Sequence, residues 1–153
     1  MTEQNTSLPA APAVADASDV VQNPARDALD ALIAERRLMP FARGTNDCCM
    51  FAADAVLAMT GRDLAADWRG TYSDDRGALR LIQQLGGLAE IGAMAGDPIP
   101  PLCADVGDVG LVEVEGVEAL AVCVGAVWLA PMALGLGAAR LEDARMAWRP
   151  RHG

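Results

Sequence analysis

The period of the apolar residues changes partway along this chain, and that change limits its fold most. Up to Gly86-Gly87 apolar residues recur at helical spacing; from Val109 onward they run at strand spacing. Helices first and strands later is the order of an α+β domain with segregated layers. Asn23-Pro24 opens a first helix, with Asn as cap and Pro at the first helical position. Ala25, Ala28, Leu29, Leu32 and Ile33 form its buried stripe, and Pro40 stops it. Ser73 with Asp74 and Asp75 starts another helix, with Ala78, Leu79, Ile82 and Leu85 on one side. Between these helices, residues 62–75 read as a loop anchored by Trp68 and Tyr72, each packing with its polar tip at the surface. Residues 88–96 allow one short turn, and 97–104, DPIPPLCA, carry too much proline for regular structure.

The strand half contains Val109–Val114, a Glu115-Gly116 turn, Val117–Val124, a continuation over Ala126–Ala130, and a last strand over Ala144–Arg149. An antiparallel sheet of about four strands follows from this. The uncharged run from Ala119 to Ala139 has the length of a bilayer span. Gly125, Pro131, Gly135 and Gly137 interrupt it, and strands buried on both faces produce the same kind of run. It therefore reads as sheet, with a membrane an unfavoured partner.

The stretch with chemical potential is Pro40 to Gly61, PFARGTNDCCMFAADAVLAMTG. Cys48, Phe51, Ala52, Ala55, Val56 and Met59 share one helical face, Asn46 or Asp47 supplies the N-cap, and Gly61 the C-terminal stop. Cys48 thus stands in the first turn, where free N–H groups and the helix dipole favour a thiolate nucleophile. The same position also suits a plain core cysteine heading the buried stripe. The four cysteines, at 48, 49, 103 and 123, include no CxxC pair, and His152 is the sole imidazole, so neither a metal site nor a cofactor is expected. Adjacent Cys48 and Cys49 point to different helix faces, and reduced thiols are the expected state. A net charge of −9 and a pI near 4.4 argue against nucleic acid as a partner. Residues 1–22, rich in Ala, Pro, Ser, Asp and Val, read as a flexible tail, or as an arm docking on a partner, ahead of one domain over 23–153. No positively charged stretch followed by an apolar run marks a signal peptide.

Pro40, Phe41, Gly44, Asp47, Cys48 and Phe51 together resemble the nucleophile motif of NlpC-type, papain-like cell-wall cysteine peptidases. Gly107-Asp108-Val109 resembles that family's Gly-Asp-Leu lead into the sheet, and Ala121–Gly125 its second strand. The succession GTNDCCMFAADAVLAMTG, WRGTYS, GALRL and Leu-Gly-Gly is similar to a family of small phage proteins of unknown function encoded among tail genes. The resemblance implies a papain-like fold with helices packed on a small antiparallel sheet. It also implies Cys48 as candidate nucleophile beside Asp47, and phage tail proteins or cell-wall peptides as partners, in a bacterial host cytoplasm or a virion. The chain departs from the pattern at the base. Aligned on Gly125, the histidine position falls on Ala119 and its orienting residue near Leu129, while His152 lies outside the matched strands. A thiol needs a proton acceptor to cut an amide. The expectation is therefore a catalytically silent member acting in tail assembly or at the tail tip; the alternative is an active peptidase or amidase using Cys48.

Overall fold

A computed structural model describes residues 23–152; the tail expected over 1–22 lies outside them. Four helices come first: α1 (Pro24–Arg36), α2 (Cys48–Thr60), α3 (Asp75–Gln84) and α4 (Leu88–Ala93). Their boundaries follow from local chemistry. The side chains of Asn23, Asp47 and Asp74 accept the N–H groups of Arg26, Met50 and Gly77, and Gly61 ends α2 in the left-handed region at φ 80°. Six strands follow: β1 (Gly96–Ile99), β2 (Val109–Val114), β3 (Val117–Cys123), β4 (Val127–Met132), β5 (Gly135–Arg140) and β6 (Ala144–Pro150). They form one antiparallel sheet in the order β1-β6-β2-β3-β4-β5. The α+β class holds. No helix among the described residues is long and apolar enough to cross a membrane, and the uncharged run over 119–139 falls in β3, β4 and β5.

Six strands replace the expected four because both sheet edges lack the usual strand signature. β1 lies inside the proline-rich stretch and pairs with β6 on one side only, the edge position where a missing N–H is tolerated. β5, GLGAAR, has no alternation; its register comes from the hairpin with β4 and from Arg37, whose carbonyl accepts the Leu136 N–H at 3.0 Å.

Helix α2 crosses the sheet with its residues buried on most sides: Cys49, Met50, Phe51, Ala52, Ala53, Ala55 and Val56. A helix apolar all round belongs at the centre of a fold. On the helix-facing side these residues meet Val109, Leu111, Leu120, Val122 and Trp148. Trp148 lies flat over Gly92, where a Cβ would collide with its ring. The opposite face is covered by the sheet itself. β5 comes against β2 although two strands separate them, and Trp128, Val112, Ala121, Cys123 and Ala139 fill the space between.

Some packing differs from expectation. In α3 the buried line is Ala78, Leu81, Ile82 and Leu85, a regular i, i+3, i+4, i+7 set, which leaves Leu79 57% exposed. Trp68 and Tyr72 turn their polar tips inward rather than to the surface. Trp68 Nε1 is buried with no partner among the described residues, and the Tyr72 hydroxyl reaches Asp47.

Candidate functional site

The approach to Cys48 is a short loop closed on itself. Ala42 and Asn46 exchange backbone hydrogen bonds, and Gly44 between them takes φ 84°. Glycine is required there twice over, because a Cβ would also strike the Tyr72 carbonyl. Asn46, fully buried, donates to the Met39 and Pro40 carbonyls at 3.2 and 3.0 Å and accepts from Arg36 Nη1 at 3.1 Å. The cap is therefore Asp47 and not Asn46. Asp47, 2% exposed, takes the Met50 N–H on Oδ1 at 2.8 Å. Its Oδ2 takes the Gly44 N–H at 2.9 Å and the Tyr72 hydroxyl at 2.5 Å. All three bonds fasten the loop and residues 71–73 to the start of α2; none runs to the Cys48 sulfur.

Cys48 is half-buried in the first turn, and Cys49 is the core cysteine. The neighbouring Cys49 thiol lowers the Cys48 pKa against the opposing effect of burial. The Leu120 amide and the Arg43 guanidinium act in the same direction, and the Asp47 charge opposes them. The pairing with Cys48, followed by desolvation, pushes the Cys49 pKa far up, so Cys49 keeps its proton. Burial, then the bond to Asp47, raises the Tyr72 pKa, so the phenol keeps its proton. Arg43 is fixed by Asp75 at 2.7 Å and lies 4.6 Å from the centre of the Phe41 ring.

Among the described residues no imidazole or free carboxylate hydrogen-bonds to this sulfur. Strand alternation puts Leu120 on the helix side of β3 and Ala119 on the far side, against Val112 and Trp128. Leu120, and not Ala119, is thus the residue of this pair on the side of the sheet that packs with α2. Leu129 lies on the helix side, beside Phe51 and Val122. His152 borders a cleft of about 440 Å³ with Met59, Thr60, Asp105 and Asp108, at the other end of α2. A helix of 13 residues separates the two ends by about 18 Å. Asp54 is held by Arg36 at 2.5 Å and Arg69 at 2.7 Å. The cavity behind Cys49 measures about 10 Å³, room for at most one water. Among the described residues no group of three His, Cys, Asp or Glu side chains is placed to hold a metal.

Of the residues singled out from the sequence, Asp47 and Cys48 come together as adjacent positions with separate jobs: cap and polarised thiol. Tyr72, Arg43 and Leu120 were not anticipated. Only the Tyr-Ser-Asp-Asp sequence ahead of a helix hinted that Tyr72 is held in place. Comparison with curated proteins returns no match. A family profile matches residues 9–150, nearly the whole chain, and so the chain belongs to the family described as "Domain of unknown function (DUF6950)".

Proposed function

We propose that this protein is a catalytically silent member of the papain-like, NlpC-type architecture, acting in phage tail assembly or at the tail tip. The silence is carried by one observation: among the described residues no imidazole or carboxylate hydrogen-bonds to the Cys48 sulfur, which packs against a core of apolar side chains. Loss of proton transfer to and from such a group is worth about 10²–10⁴ in rate. The fold type and the tail role rest on the resemblance of the DCC, WRG-x-Y and GDV blocks. Incubation of the purified protein with muropeptides, followed by mass spectrometry, is expected to leave them intact. Deletion of the gene from its phage is expected to give particles with defective tails. Turnover that Cys48→Ala abolishes overturns the silence, and fully infectious virions overturn the tail role.

A second reading, an active cysteine peptidase or amidase of cell-wall peptides, is favoured by the lowered Cys48 pKa at a helix start. The muropeptide experiment separates the two.

A further inference from the structure

Arg76 and Arg80 stand one turn apart on the exposed side of α3 and border, with Tyr72, Ser73 and Asp74, an open cleft of about 240 Å³. Helix energetics oppose this placement. Like charges at i, i+4 repel, and Arg76 sits in the first turn, where the dipole disfavours a cation. The nearby acids are otherwise occupied: Asp74 accepts the Gly77 N–H at 2.7 Å, and Asp75 accepts Arg43 Nε at 2.7 Å. Among the described residues no carboxylate pairs with either arginine, whereas Arg26, Arg36, Arg43, Arg69 and Arg149 all meet one. Two guanidinium groups that pair with no carboxylate among the described residues thus share one cleft with a single carboxylate, Asp74, leaving an excess of positive charge there in a chain whose net charge is −9.

We propose that this cleft binds a compact oxyanion, a carboxylate or phosphate group on a small ligand. Paired guanidinium forks match the planar or tetrahedral oxygens of such a group, and the Ser73 hydroxyl adds a donor at the cleft wall. The volume is smaller than that of a drug-sized pocket, so it holds the charged group and leaves the rest of the ligand outside. Tyr72 is shared: it walls the cleft and sends its hydroxyl to Asp47, beside Cys48. The proposal is independent of whether Cys48 turns anything over.

The test is an NMR titration of the ¹⁵N-labelled protein with succinate and, separately, inorganic phosphate, against sodium chloride at matched ionic strength. Saturable shifts of the Arg76 and Arg80 Nε–H signals and of the Ser73 amide are expected with at least one anion; the anion that saturates identifies the source. Arg76→Gln and Arg80→Gln should each weaken binding about tenfold, as loss of a charge-assisted hydrogen bond does. Arg26→Gln, which removes the same charge elsewhere, should change nothing. Both arginines are exposed, and circular dichroism checks that each variant is folded. Shifts no larger than those with sodium chloride, or shifts that survive the double substitution, overturn the proposal.

Discussion

The two ends of α2 each hold one buried carboxylate, and the two are satisfied in opposite ways. At the N-terminal end Asp47 is surrounded by neutral donors, two amides and a phenol. At the other end Asp108 meets a cation, with Arg149 Nη2 at 2.8 Å and Nε at 3.2 Å, and closes its turn by accepting the Asp105 N–H at 2.7 Å. The Asp108 pair reaches solvent through Arg149, whereas the Asp47 arrangement is sealed. The sealed end carries the polarised sulfur and the open end carries the imidazole. The two groups a thiol hydrolase has to bring together thus lie at opposite ends of a rigid helix.

Replacing each carboxylate tests that contrast. Asp47→Ala should cost about 3–5 kcal/mol in urea unfolding, since it removes a cap and strands a buried amide and a buried hydroxyl. Asp108→Asn should cost only about 1–2 kcal/mol by the same measurement, because Arg149 can turn to water and the amide oxygen still accepts one bond. Equal losses at the two ends would break the comparison. Tyr72→Phe should cost about 1 kcal/mol, the value of one hydrogen bond, with the midpoint shifted and the denaturant slope unchanged.

The smallest effect is kinetic. In a Cys103→Ser background, iodoacetamide should modify Cys48 at pH 7 before Cys123, whose pKa is raised by burial. Cys49→Ala removes the neighbouring thiol that lowers the Cys48 pKa. The thiolate fraction at neutral pH then falls, and alkylation slows. The difference should narrow as pH rises far enough to ionise Cys48 in both forms. A variant that reacts as fast as the parent at pH 7 would show that the neighbouring thiol has no such effect.

Much of this was legible where the signal is local. Asn23-Pro24, Asp47 and Asp74 announce three helix starts through their own side chains, and Gly61 announces a stop. The edge strands were hidden because β1 carries Pro98 and β5 is built from Gly and Ala; their pairing is dictated by neighbours far along the chain. Which of Ala119 and Leu120 faces the helix depends on register, and in a strand one position is the difference between the two faces. The bond from Tyr72 to Asp47 spans 25 residues with a helix and a loop between them, a separation no periodicity encodes.

The burial of α2 on most sides also bears on time. Its central amides, from Phe51 to Val56, have no partial opening available that would not pull the sheet face apart with them. They should be among the last protons in the molecule to exchange with deuterium, released only when the whole chain unfolds. A reagent that finds the half-buried Cys48 quickly must then reach it while this helix is intact.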